Sequence, residues 1–300
     1  MKVPSYLHPG DCVGIVAPAR KISKDELKPA IDFLLQSGFR VALGKNIFAK
    51  QDQFAGSDEQ RTSDFQSMLD DPDVKAILCA RGGYGSVRII DKLDFSCFME
   101  NPKWICGYSD VTVFHSHLNR LGVATLHSTM PINIQPDNFE SLNNRSLVQG
   151  LMGGILAYTV PVMPLNRPGM AMGEVVGGNL SMLYSLLASD SDIQTEGKIL
   201  FIEDLDEYLY HIDRMMMALK RSGHLEKLAG LIVGGLSDMH DNTVPFGRDA
   251  EQIVADACAE YGYPICFGFP AGHTDNNVAL KLGTSAALSV TPGGSTVIFQ

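Results

Sequence analysis

A chain of 300 residues, 45% hydrophobic and 19% charged, has ample apolar material for large cores, and its length predicts two domains. Its formal net charge of -10 excludes a phosphate-tracking surface, because nucleic-acid binders draw most of their affinity from clustered Lys and Arg. No window approaches the roughly 20 apolar residues of a membrane span, and Met1-Lys2-Val3-Pro4-Ser5-Tyr6 lacks the apolar run of a secretion signal, so membrane and secretion drop out as well.

Short apolar runs alternate with amphipathic stretches through the first half, the pattern of a sheet flanked by helices. Residues 11–17 read as a strand, 24–37 as a helix closed by Gly38, and 40–43 as a second strand. After a polar loop, Ser57 and Gln60 have capping-box spacing and open a helix that runs to Leu69. Residues 75–80 form the third expected strand, followed by Arg81-Gly82-Gly83-Tyr84-Gly85 and a short helix near 87–91. A fourth strand at 103–107 leads into a helix at 111–121.

Between 151 and 173 the period disappears among Gly153, Gly154, Pro161, Pro164, Pro168 and Gly169. The expected division is therefore 1–152, a linker at 153–172, and a second domain at 173–300. In that second part, 180–187 and a longer stretch around 212–219 read as helices, with Met215, Met216 and Met217 as core filler. Residues 198–202, 231–234 and 278–282 read as strands, and 286–290 with 296–299 as a closing hairpin. Cys12, Cys79, Cys97, Cys106, Cys258 and Cys266 show no CxxC pairing and are expected as free buried thiols of a reducing cytoplasm, with no disulfide and no zinc site.

Chemistry concentrates in Trp104-Ile105-Cys106-Gly107-Tyr108-Ser109-Asp110-Val111-Thr112, where an apolar strand turns sharply into a helix. A serine at such an elbow exposes its hydroxyl at the positive end of the helix; it also serves as a plain helix cap. A nucleophilic serine needs a base. His115 and His117 follow on the same helix and point away from its tip, and His8, His127, His211, His224 and His240 lie in contexts typical of structural histidines. His273 stands in a small polar loop after an apolar run, either as a base or as a turn residue bonded to Asp275. Its acidic partner would come from Ile199-Leu200-Phe201-Ile202-Glu203-Asp204, where spacing alone leaves Glu203 and Asp204 both open. The amides of Gly82 and Gly83, with that of Asp110, can converge on an oxyanion; a nucleotide-phosphate loop is the competing reading, against which the GxGxxG and P-loop spacings are both absent. Arg81 is a candidate for a substrate carboxylate or for a surface ion pair, and Tyr84 is a second candidate substrate contact. A two-domain binding protein without chemistry remains the rival from another class.

Taken in order, Gly10-Asp11, Ala17-Pro18, Phe54-Ala55-Gly56-Ser57-Asp58 with Arg61, Arg81-Gly82-Gly83-Tyr84-Gly85, Pro102-Lys103, Gly107-Tyr108-Ser109-Asp110, Gly178-Asn179-Leu180, Phe201-Ile202-Glu203-Asp204, Ile212-Asp213-Arg214-Met215 and Gly272-His273 resemble the LD-carboxypeptidases, serine peptidases that trim muropeptides in cell-wall recycling. The likeness spans nearly the whole chain. It implies an α/β protein with a Rossmann-like N-terminal domain and a parallel-rich sheet, a mixed α/β C-terminal domain with barrel-like character, and a site in the cleft between them. It also implies a catalytic triad of Ser109, Glu203 and His273, an oxyanion hole from Gly82, Gly83 and Asp110, no cofactor, a small peptide or muropeptide substrate, and a cytoplasmic homodimer. Glu207-Tyr208-Leu209-Tyr210-His211 departs from the family's usual wording, which has a proline and an arginine before Ile-Asp-Arg. The related microcin C immunity peptidases, which act on peptidyl-nucleotides, usually lack Arg-Gly-Gly-Tyr-Gly and are the alternative within the family.

Overall fold

The computed structural model describes residues 1–300. In chain order its elements are β1 (Cys12–Val16), α1 (Lys24–Gln36), β2 (Arg40–Leu43), α2 (Asp58–Asp70), β3 (Val74–Cys79), α3 (Ser96–Glu100), β4 (Trp104–Gly107), α4 (Thr112–Arg120), β5 (Thr125–His127) and α5 (Leu142–Leu151). There follow β6 (Ala157–Val160), β7 (Gly169–Asn179), α6 (Leu180–Ser185), β8 (Ile199–Leu205), α7 (Leu209–Arg221), β9 (Gly230–Ser237), α8 (Ala250–Ala257), β10 (Ile265–Cys266), β11 (Leu280–Leu282), β12 (Ser285–Thr291) and β13 (Gly294–Phe299).

The first sheet has the order β11-β5-β4-β3-β1-β2. Strands β1 to β5 run parallel, and β11, from the last part of the chain, pairs antiparallel with β5. Helices cover both faces of such a sheet, so its strands are continuous apolar runs. In β1, Val13 and Ile15 enter one core while Cys12 and Val16 enter another, the strand period of two read out as two buried faces. The capping boxes predicted and found at Ser57 with Gln60, and also present at Ser23 with Glu26, fix where α2 and α1 begin.

The second sheet, β10-β9-β8-β7-β12-β13-β6, combines parallel and antiparallel pairs within a C-terminal part of mixed α/β character. Strand β7 divides it: residues 169–174 pair antiparallel with β12, and residues 175–179 pair parallel with β8. The antiparallel half leaves one face open, with Met170 and Met172 exposed, whereas the parallel half is buried throughout. A single core joins Val13, Ile15 and Leu78 of the first sheet to Phe201, Ile232 and Phe299 of the second.

Several local expectations need correction. Residues 153–172 contain the strand β6, which lies at the edge of the second sheet. The short helix near 87–91 is two 3-10 turns, Ser86–Arg88 and Ile90–Lys92. Cys97 is exposed while the other five thiols are buried, and Met217 faces outward while Met215 and Met216 fill the core. Strand β11 belongs to the first sheet although it lies in the second half of the chain. No helix is long and apolar enough to cross a membrane.

Candidate active site

In an open parallel sheet, ligands bind beyond the carboxyl ends of the strands, where the strand order reverses. Here the chain passes from β1 outward to β2 and then returns to β3 on the other side of β1. The loops leaving β1 and β3 therefore diverge around a crevice, and the Arg20 N–H still reaches the carbonyl of Gly82 at 3.4 Å. Strands β7 and β8 of the second sheet bring Asn179 and Asp204 to the same crevice by their own carboxyl ends. The result is a cleft of about 530 Å³ lined, among others, by Arg20, Arg81, Gly82, Ser109, Asp206 and His273.

Ser109 is the first residue of the short 3-10 turn (Ser109–Val111) that joins β4 to α4, and it has φ +64. For a residue with a side chain this left-handed conformation stores strain of roughly 1–3 kcal/mol, and it turns the hydroxyl out of the helix into the cleft. It is not a mere helix cap: no side-chain capping bond is made at this terminus. Two buried contacts hold the elbow. His115 bonds the Gly107 carbonyl through Nε2 at 2.9 Å and Thr125 Oγ1 through Nδ1 at 2.9 Å, and burial pushes its pKa down to about 4, so it is neutral. The Asp110 carboxylate accepts the Ser86 N–H at 2.9 Å, tying the elbow to the glycine turn; burial raises its pKa against that bond.

Gly82 adjoins the serine so closely that a Cβ there would lie 3.2 Å from Ser109 Cβ and 3.3 Å from Oγ. The adjoining loop is clamped from behind by Arg61, buried to 2% exposure, which donates through Nη1 to the carbonyls of Pro18 at 2.5 Å and Gly85 at 3.0 Å, through Nη2 to Asp58, and stacks on Phe54 at 4.9 Å. Gly83 has φ +107, and the Arg20 side chain lies across it.

On the facing wall, His273 Nδ1 lies 2.7 Å from Glu203 Oε2, and the His273 backbone N–H points at the same oxygen at 3.3 Å. Glu203 is fully buried. Burial lowers the pKa of His273, but the hydrogen bond to Glu203 and the negative charge of that carboxylate outweigh it, and the net shift is upward. Gly272 makes this approach possible, since it has φ +99 and a Cβ there would stand 2.6 Å from Glu203 Cβ. Asp204, the other carboxylate left open by spacing, turns the opposite way: it accepts from Asn179 Nδ2 at 2.9 Å and from the Ser181 N–H at 2.8 Å, and burial, followed by the charge of Glu203, pushes its pKa up to about 7. Asp275 gives His273 no hydrogen bond; its carbonyl accepts from Asn143.

The structure thus brings Ser109, Gly82, Gly83, Arg81 and His273 to one cleft, with Glu203 directly behind His273. No hydrogen bond joins Ser109 to His273 in this conformation. Tyr84 does not line the cleft; it is 44% exposed and packs towards Phe54. Arg81 lies 3.5 Å from Glu26. Arg20, which drew no attention in the sequence, lines the cleft with no ion-pair or hydrogen-bond partner for its guanidinium; only its place after Ala17-Pro18 could have pointed to it. His211 and His240 instead pair with Glu207 and Asp206 at 2.5 Å each, on the rim. No group of three His, Cys, Asp or Glu side chains is placed to hold a metal ion.

Comparison with known proteins points one way. Family models described as LD-carboxypeptidase N-terminal domain and LD-carboxypeptidase C-terminal domain match residues 13–128 and 172–288. The chain is 40% identical over 294 residues to the probable murein peptide carboxypeptidase of Bacillus subtilis (strain 168), covering 95% of this chain and 91% of that one. It is 26% identical over 314 residues to the microcin C7 self-immunity protein of Escherichia coli, covering 93% and 90%. Among solved structures, the muramoyltetrapeptide carboxypeptidase from Oxalobacter formigenes matches with a TM-score of 0.88 at 26% identity, over 96% of this chain and 98% of that one.

Proposed function

Since this chain belongs to the LD-carboxypeptidase family, matched in both its N-terminal and C-terminal halves, we propose that it is a serine carboxypeptidase that cleaves the L,D-peptide bond releasing terminal D-alanine from muropeptide tetrapeptides. The observation that carries the reading is the pairing of His273 with a fully buried Glu203 across a cleft from a serine held at φ +64.

Nδ1 of His273 donates to Glu203, which leaves Nε2 to take the Ser109 proton. The Ser109 oxygen attacks the carbonyl between the L-configured centre and D-alanine. Amides of Gly82, Gly83 and Asp110 receive the oxyanion, and His273 protonates the leaving amine. Water then releases the acyl-enzyme by the reverse proton path. A carboxypeptidase must also hold a free terminal carboxylate, and the two guanidiniums beside the glycine turn, Arg20 and Arg81, supply that charge, Arg20 without a competing partner. The substrate's role in cell-wall recycling, a cytoplasmic location and a homodimeric state belong to this same reading, as does a division at 1–152 and 173–300 that sets the nucleophile on one unit and the acid and base on the other.

Incubation with a defined muramoyl tetrapeptide, followed by mass spectrometry, tests it. Loss of one alanine is expected, and S109A should lower the rate at least about 10⁴-fold with the fold intact. Near-wild-type turnover by S109A would remove the serine mechanism. Cleavage of a peptidyl-nucleotide in preference to the tetrapeptide would favour the microcin-immunity branch, to which the 26% likeness belongs.

A further inference from the structure

Proton transfer between Ser109 and His273 requires two segments that are remote in sequence to hold one separation, and the structure contains a device for it. Strand β5 runs beside β4 in register, so that His127 stands level with Gly107, two residues before Ser109. The His127 side chain is fully buried, and its Nε2 lies 3.0 Å from Oδ1 of Asn277. That same oxygen accepts the backbone N–H of Gly272 at 2.9 Å, and Gly272 immediately precedes His273. One carbonyl oxygen thus connects the strand that flanks the nucleophile to the loop that presents the base, across 150 residues of sequence.

We propose that His127 and Asn277 are positioning residues, a buried strut that sets the distance between Ser109 and His273. Both hydrogen bonds converge on an oxygen with no proton to give, so His127 is the Nε2–H tautomer, and its Nδ1 is buried without a partner. Burial pushes its pKa down to about 3, which keeps the ring neutral and the strut unchanged at every working pH. Asn277 is braced from the other side, because its N–H donates to Asn143 Oδ1 at 2.8 Å and Asn143 Nδ2 donates to the Asp275 carbonyl at 2.9 Å. The Tyr108 ring fills the space between the two histidines, 5.9 Å from His127 and 4.9 Å from His273. Downstream, Leu280 of β11 pairs with His127, so the chain that leaves the His273 loop is stitched to the same strand. Neither residue touches the reacting atoms. Their effect is on geometry, and a misplacement of about 1 Å at a reacting pair costs roughly 100-fold in rate.

This inference rests on the serine-hydrolase reading, and the test separates the two. His127→Gln places an amide N–H where Nε2–H stood, whereas His127→Asn, with the same chemistry, is one methylene too short to reach Asn277. Each variant is assayed for kcat and KM on the muramoyl tetrapeptide and for the rate of Ser109 labelling by a fluorophosphonate, with folding checked by circular dichroism and thermal denaturation. H127Q should keep kcat and labelling within about fivefold of wild type, while H127N loses about 100-fold in both with KM little changed. Asn277→Ala, which removes the shared acceptor, should match H127N. A purely structural role predicts the reverse pattern, lowered melting temperatures with kcat and labelling equal in folded H127Q and H127N, and that result overturns the proposal. Labelling needs only the serine and its base, so wild-type protein that is labelled but releases no alanine would count against the substrate assignment and leave the strut to be read from the labelling rates.

Discussion

On the wall of the cleft built from the first sheet, the reactive geometry is set by backbone: Ser109 at φ +64, Gly83 at φ +107, and a Gly82 whose Cβ, were there one, would crowd the hydroxyl at 3.3 Å. On the wall built from the second sheet it is set by side chains, a His273 ring aimed by one oxygen of a buried carboxylate and a loop held by Asn277 and Asn143. The difference lies in what can move each wall. The backbone that presents Ser109 carries no titrating group of its own, whereas an imidazole paired with a carboxylate changes its charge and its aim with pH. The first wall therefore determines where the reaction happens, and the second determines over which pH range it runs.

The largest effect should come from uncoupling the second wall. Glu203→Gln keeps the shape and removes the charge, and a fall in kcat of roughly 10³- to 10⁴-fold is expected from a misaimed imidazole. Because Glu203 raises the pKa of His273, and a base works only when neutral, wild-type activity declines as pH falls through that raised value; in E203Q the acidic limb of the rate profile should move to lower pH. The linked effect on stability has the opposite sense. The pair stabilises the fold fully below the ordinary value of 6.5, and that contribution is lost as pH rises through the folded value, so urea midpoints of wild type and E203Q should converge at alkaline pH. An acidic limb that stays in place would mean that His273 is not tuned by Glu203.

A smaller effect sharpens the first wall's part in specificity. Arg20→Met should raise KM about 10-fold for a tetrapeptide with a free terminal carboxylate, the loss of one charge-assisted contact, and leave KM unchanged for the terminal amide. Equal changes for both substrates would place the carboxylate elsewhere. The smallest effect concerns strain alone. Ser109→Gly and Ser109→Ala both delete the nucleophile, but only glycine relaxes φ +64, so S109G should be more stable than S109A by about 1 kcal/mol in urea denaturation. Equal stabilities would show that the elbow costs nothing to hold.

Much of the first wall was legible in sequence because its signals are local. Continuous apolar runs marked β1, β3 and β4, the Ser57 and Gln60 spacing marked the start of α2, and a serine two residues after Gly107, between a strand and a helix, marked the elbow. Glu203 and His273 were legible as positions at the ends of apolar runs, but their 2.7 Å bond was not, since spacing left Asp204 equally open. Part of what was missed lacks a local signal. Strand β5 is three residues long, β7 is rich in glycine and methionine instead of β-branched residues, and α5 carries Asn, Arg and Gln among few apolar residues. The sequence around His127 is typical of a structural histidine; the bond that makes it more than that reaches to Asn277, a relation no window of sequence contains.

The place of β11 carries a consequence for how the protein is made. The five parallel strands of the first sheet leave the ribosome well before Leu280–Leu282, the segment that covers the open flank of β5. Until then β5 presents a row of unpaired N–H and C=O groups, the kind of edge that recruits strands from neighbouring chains. The nascent N-terminal half is thus the stage at which self-association threatens most, and synthesis of the final stretch is what ends that exposure.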